Sequence, residues 1–323
     1  MFARVKSNLP PSPPPQPPFT RGRLMVRLLA EMQASCNHTN MRVFEGEFDR
    51  AIIFMVVARE SGALSVHSGG QAKSGEAGQG ISVNALAASL SRPFETVRRH
   101  VNALIAGGLC VRTSAGLMVP GEVHARPGIA GLFRVYHDTL VRLIEDLVSY
   151  EVPMPETRPH IPYDWHTGLA AAHDVLLSGI EFYSSRYQSW IDLLLIGTVM
   201  CANARPFTYD REVSLAYADF TRLPPESMRA PVPASVIARV LNLPASTTQR
   251  RVNAMIAEGK LIRKTAGLLV SQAALNAPVQ VGDARSSTDH TRQIFARLAA
   301  GGFRFDDPAL CYVDGRPPLV AFD

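Results

Sequence analysis

Apolar positions along this chain alternate between helical spacing and short extended runs, and they do so twice in the same order. In the stretch 81–119, Val83, Leu86, Ala87 and Leu90 recur at helical spacing. That predicts a short amphipathic helix over Ser82–Leu90 with Ser82 as its N-cap. Ser91-Arg92-Pro93 interrupts it, and the proline suits the first turn of a second helix running to about Ala106. Val97, Val101, Leu104 and Ile105 form its inward face, and Gly107-Gly108 supplies the left-handed stop. Two extended runs, Leu109–Arg112 and Leu117–Val119, then flank a turn at Thr113–Gly116. The stretch 232–270 repeats this plan with Val236, Ile237 and Leu241, then Pro244, then Val252, Met255 and Ile256, then Gly259 and a turn at Lys264–Gly267. The offset is a constant 151 residues without a gap, and roughly sixteen positions are identical. Repeats so far apart mark two copies of a domain rather than a solenoid, whose units recur every 20–50 residues.

Helix, tight turn, helix and β-hairpin is the order of a winged helix-turn-helix. Leu86-Ala87, Pro93, Thr96 to Val101, Leu104 and Gly108-Leu109 resemble the winged-helix core of bacterial transcriptional regulators of the multiple-antibiotic-resistance, arsenic-repressor and isocitrate-lyase-regulator types. The second copy departs slightly, with Thr248 in place of Val97 and Lys260 in place of Leu109. The expected fold class is mainly α with small β-hairpin wings: two winged helix-turn-helix modules plus linking helices.

The first helix of each module is expected upstream, at Phe48–Glu60 and Trp190–Ala202. Both are apolar, but shorter than the ~18–20 residues of a membrane span. Arg23–Gln33 is amphipathic, and Thr288–Ala299 follows the second copy. Gly128–Tyr150 carries an apolar stripe too wide for a lone surface helix. It is expected to pack between the modules or to join two copies of the chain in a homodimer. Proline-rich Pro10–Pro18, flanked by Arg4, Lys6, Arg21 and Arg23, reads as an extended basic tail. The expected layout is a tail at 1–23, a first module with flanking helices at 24–152, a proline-rich linker at 153–162, a second module at 163–305, and a C-terminal tail at 306–323.

A net charge of +5 over 323 residues becomes informative once it is placed. The first repeat carries Arg92, Arg98, Arg99 and Arg112 against Glu95. The second carries Arg239, Arg250, Arg251, Lys260, Arg263 and Lys264 against Glu258. The rest of the chain is therefore net acidic. A basic helix able to enter a groove is the electrostatic footprint of phosphate binding.

The resemblance implies that the second helix of each copy lies in the major groove of double-stranded DNA and that the hairpin flanks the backbone. The face turned away from the apolar positions then names the candidates. In the first copy these are Phe94, Glu95, Thr96, Arg98, Arg99 and Asn102, with Arg92 before the helix and Arg112 on the wing. In the second they are Ala245, Ser246, Thr247, Gln249, Arg250, Arg251 and Asn253, with Arg263 and Lys264 on the wing. Arginine matches the two acceptors of guanine and asparagine matches adenine. Similar scaffolds with different edges point to two unlike half-sites.

Catalytic chemistry finds little footing. The glycine-rich stretch at 67–80 lacks a G-K-[ST] ending. The four cysteines are scattered without a C-x-x-C pair, which argues against zinc. His160, Asp164, His166, His173 and Asp174 form the densest polar group, but they straddle the proline-broken stretch. No enzyme activity, metal or cofactor is expected, and without a signal peptide the chain reads as cytoplasmic. The expected function is sequence-specific DNA binding in transcriptional regulation. A replication initiator and a protein-interaction scaffold are the alternatives.

Overall fold

The computed structural model describes residues 21–62, 64, 80–187 and 189–323. The basic tail and most of the glycine-rich stretch lie outside the described residues. The helices before and within the first repeat are α1 (Gly22–Val43), α2 (Phe48–Glu60), α3 (Val83–Ser89) and α4 (Phe94–Ala106), followed by strands β1 (Val111–Thr113) and β2 (Gly116–Met118). Next come α5 (Pro127–Ser149), α6 (Trp165–Tyr183), α7 (Trp190–Thr208) and α8 (Arg211–Ala216). The second repeat holds α9 (Ala234–Val240), α10 (Ala245–Ala257), β3 (Leu261–Lys264) and β4 (Gly267–Val270). Two helices follow it, α11 (Gln272–Asn276) and α12 (Pro278–Ala300). The fold is mainly helical with two small antiparallel hairpins. No helix among the described residues is long and apolar enough to cross a membrane.

Contacts divide the chain into two units, one at Asp49–Arg126 and a larger one joining Arg21–Phe48 to Pro127–Asp323. The expected layout of 24–152 and 163–305 is corrected on this point. Helices α1 and α5 belong to the larger unit, and the stretch 153–162 is not a boundary. The physical reason is the apolar stripe of α5. Leu132, Phe133, Tyr136, Leu140, Ile144 and Leu147 are all buried within the larger unit, chiefly against α1 and α6. The stripe offered for a homodimer at Gly128–Tyr150 is thus covered by the chain's own helices.

Each repeat folds locally as its pattern dictates. Ser82 Oγ accepts from the Ala85 N–H at 3.1 Å and caps α3. Ser91 and Asn242, at matching places between the two short helices of each repeat, hold left-handed φ of 50° and 47°. Val97, Val101 and Leu104 on α4 are buried, as are Val252 and Met255 on α10. The first residue of each repeat adds a single bridge to the second strand of its hairpin, Ile81 to Leu117 and Val232 to Leu268. That close approach explains Gly116 and Gly267. Both have positive φ, and a Cβ at either would collide with the backbone of Gly80 or Val232. The hairpin is tied to the preceding helix in each copy. Ser61 Oγ accepts from the Val119 N–H at 3.4 Å, and Asn203 Oδ1 accepts from the Val270 N–H at 3.0 Å.

Residues 306–323 are not a free tail, which is a second correction. Asp138 accepts from the N–H groups of Val313 and Asp314 at 3.0 and 2.8 Å. Arg316 pairs with Glu145 and Asp146 on α5, and Arg142 donates to the Pro317 carbonyl at 2.9 Å. Arg205 on α7 forks onto Glu31 of α1 and also donates to the Val320 carbonyl. The stretch 153–162 docks likewise, with the Thr157 hydroxyl donating to Asp306 at 2.7 Å. Charge pairs and main-chain bonds hold these segments in place, so no apolar period betrayed them.

Two expectations test this organisation. Leu104→Ala and Met255→Ala each empty a site at most 2% exposed and should cost their own unit roughly 2–5 kcal/mol. All four cysteines are buried, and burial pushes the Cys36 and Cys110 thiols up to about 12, so labelling must wait for opening. Leu104→Ala should speed modification of Cys110 while Cys36 and Cys201 stay slow, and Met255→Ala should do the reverse. Equal acceleration at every thiol would mean that the two units open together.

The second expectation concerns pH. Burial alone would raise the Asp138 carboxyl. The His137 Nδ1–H at 2.7 Å and the N–H groups of Val313 and Asp314 outweigh it and hold the carboxyl below its ordinary value. Its contribution to stability is therefore complete above the unfolded value of about 3.9 and is lost as pH falls through the lower folded value. Asp138→Ala should remove roughly 2–3 kcal/mol at neutral pH and flatten the acid limb of urea titrations. An unaltered acid limb would assign that limb to other carboxyls.

Candidate nucleic-acid interface

Helix α4 turns its polar face outward because Val97, Val101 and Leu104 are held inward. Glu95, Arg98, Arg99 and Asn102 are exposed, Thr96 is half-buried, and Phe94 is 42% exposed at the helix start. Arg98 forks onto Glu95 through Nε at 3.0 Å and Nη2 at 2.7 Å. In water such an exposed pair contributes little, and it can be exchanged for another anion at small cost. Arg112, on β1, donates through Nη2 to Asn102 Oδ1 at 3.3 Å. A cleft of about 310 Å³ lies among Ser82, Asn84, Phe94, Arg98, Arg112 and Thr113, between the starts of α3 and α4 and the hairpin.

Helix α10 repeats the plan. Ala245, Ser246, Gln249, Arg250 and Asn253 are exposed and Thr247 is half-buried. Asn253 Oδ1 accepts from Arg263 Nη2 at 3.2 Å and from Gln249 Nε2 at 2.8 Å. The bond from the first-strand arginine to the long-helix asparagine therefore occurs in both copies. Among the described residues, Arg99, Arg112, Arg250 and Arg263 pair with no carboxylate. They form two exposed cationic faces, each with an amide beside it.

Other candidates have structural work. Arg251 is half-buried and donates through Nη1 to Asp192 at 2.8 Å and to Ser189 Oγ at 2.7 Å, gripping the start of α7. Arg92 approaches Asp49, near the start of α2, at 3.9 Å. In both units, then, an arginine from the repeat meets the first-turn carboxylate of the preceding helix, but from different positions in the repeat. Lys264 pairs with Glu226 at 2.5 Å, and that contact lowers the Glu226 carboxyl. The sequence reading missed Ser82, Asn84 and Thr113 as parts of the first cleft, and it missed the bond between arginine and asparagine. The one available signal was that Asn102/Arg112 and Asn253/Arg263 keep identical residues and spacing.

Among the described residues no group of three His, Cys, Asp or Glu could hold a metal ion. The exposed faces offer charge-assisted hydrogen-bond donors in a fixed array and no activated nucleophile. No protein-family model, curated protein or solved structure matches this chain.

Arg250 and Arg251 are neighbours with opposite roles, which can be measured. Arg251→Ala should lower the stability of the larger unit by about 2 kcal/mol, and Asp192→Ala should do much the same. Combining them should cost less than the sum, since each single change already breaks the shared contact. Arg250→Ala should stay within about 0.5 kcal/mol of wild type in urea melts. Equal losses at 250 and 251 would refute the division.

Proposed function

We propose that this chain binds double-stranded DNA sequence-specifically through two winged-helix heads and acts as a transcriptional regulator. Each head follows the order helix, bridging residue, helix, helix, hairpin, with α4 and α10 as the groove-entering helices. The observation that carries the reading is the recurrence of an exposed Asn–Arg pair between that helix and the wing, at Asn102–Arg112 and Asn253–Arg263. In a complex, the asparagine amide suits the paired acceptor and donor of adenine and the wing arginine suits a phosphate. Arg99 and Arg250, one turn before the asparagines, then face guanine or the backbone. The heads differ at Phe94/Ala245, Glu95/Ser246 and Arg98/Gln249, so they read unlike half-sites within one asymmetric operator.

The four arginines that pair with no carboxylate among the described residues set the salt dependence. Phosphate contacts by all four imply a slope of roughly −4 in log K against log salt, and by the two wing arginines alone a slope of roughly −2. Mobility shifts across a salt series would measure it, and a slope near zero would mean that these faces do not meet DNA. Selection of bound sequences from a random pool tests the reading heads. Arg99→Ala should relax one half-site and Arg250→Ala the other, each at about 1–3 kcal/mol if the contact is to a base. Loss of the same motif positions in both variants, or a perfect palindrome selected by wild type, would overturn the two-reader assignment.

A further inference from the structure

Within the larger unit, a cavity of about 60 Å³ lies between α1, α7 and the segment after α8, away from the exposed face of α10. Its lining has an unusual charge. Arg23, Arg27 and Arg229 border it, and no carboxylate does. Arg27 and Arg229 are each 6% exposed.

The three guanidinium groups are held in place by neutral oxygens. Arg27 donates to the Tyr217 carbonyl at 2.8 Å and to the carbonyl and hydroxyl of Ser214, both at 2.9 Å. Arg229 donates to the Val270 carbonyl at 2.6 Å and to Gln272 Oε1 at 2.9 Å, and Arg23 donates to the Phe220 carbonyl at 3.0 Å. Glu226 stands 3.8 Å from Arg229 and already holds Lys264, and the Asp219 carboxylate acts on Arg23, but neither lines the cavity. Desolvation shows in the groups themselves. Burial brings Arg27 down to about 10 and lowers Arg23 and Arg229 as well. After all these bonds, Nε of Arg27 and Nε of Arg229 are buried without a hydrogen-bond partner among the described residues. Unpartnered cationic donors in an apolar setting are costly unless an anion completes them.

The remaining walls are mostly apolar, from Val26, Phe207, Leu223 and Leu275, with Asn203 the one other polar side chain in the lining. We infer that this cavity binds a small organic carboxylate with a short apolar body, the carboxylate among Arg23, Arg27 and Arg229 and the body against those four side chains. Inorganic phosphate offers the charge without the body, and an alcohol of the same length offers the body without the charge.

The test uses the full chain without DNA, so its outcome is independent of what the reading heads bind. Butanoate is the probe, with 1-butanol and inorganic phosphate at equal ionic strength as comparisons. Binding is followed by saturation-transfer NMR of the ligand methyl group and by the melting temperature of the larger unit. Butanoate is expected to take up saturation and to raise the melting temperature, and neither comparison should reproduce both effects. Ala204 also lines the cavity, so Ala204→Leu fills it and leaves every arginine in place. That variant and Arg229→Gln should each weaken binding at least tenfold, and whichever is folded by circular dichroism decides. No saturation transfer to butanoate, an equal response to 1-butanol or phosphate, or undiminished binding in a folded variant would overturn the assignment.

Discussion

Helix α1 buries Leu24, Met25, Leu28 and Met32 in the larger unit, packing on α5 and α7, and this contact joins two parts of the unit that the smaller one separates in sequence. Polar links set its register. Cys36 meets the Thr139 hydroxyl at 3.0 Å across 103 residues of chain, and Tyr136 donates to Asn40. The two bonds unite the helices before and after the smaller unit. They also make the unit's other helices coherent. Phe133 and Tyr136 set their rings edge-on to buried His173 of α6, which in turn packs on α12. Without the α1–α5 seam, Glu31 would lose its place opposite Arg205, and the terminal segment would lose much of its footing.

Arginine has three different roles in the molecule, separated by what surrounds it. At the seam, Arg142, Arg205 and Arg316 face carboxylates and lock segments distant in sequence. Around the apolar cavity, Arg23, Arg27 and Arg229 are ordered mainly by neutral oxygens, and no carboxylate lines the space they border. On α4, α10 and the hairpins, Arg99, Arg112, Arg250 and Arg263 stay in water. Composition records all of these as the same positive charge, and burial distinguishes them. The first role provides rigidity, the second a standing demand for an anion, and the third surface charge that is cheap to redeploy.

Much of the local structure was legible in the sequence because it is decided locally. The period of Val97, Val101 and Leu104, the break at Ser91-Arg92-Pro93 and the glycine stops suffice to draw each helix and hairpin, and duplication doubles the signal. The exposed face of α4 and of α10 followed from the same period. Ownership of the long helices was not legible. An apolar stripe such as that of α5 demands a partner without naming it, and α1 and the first module were equally available. The terminal segment escaped because Arg316 and Val313 bind through charge and main chain, which leave no repeat. Arg251 escaped for a related reason. It sits on the flank of α10, and only the position of Asp192, a residue from another helix, turns it from a surface cation into a clamp.

The interruption of the larger unit by the smaller one has a consequence for the order in which the molecule is made. The described residues of the smaller unit end at Arg126, so it can close once that residue has left the ribosome. Helix α1 emerges earlier, yet its chief partner α5 is complete only at Ser149, roughly 105 residues after Val43, at about 5–20 residues per second a delay on the order of 5–20 s, and Phe322, packed beside Ala30 and Ala34, follows later still. For that interval Leu24, Met25 and Leu28 form an unsatisfied apolar ridge on the nascent chain. A helix made before the smaller unit is thus finished only after it, and during that interval it is a surface a chaperone would meet.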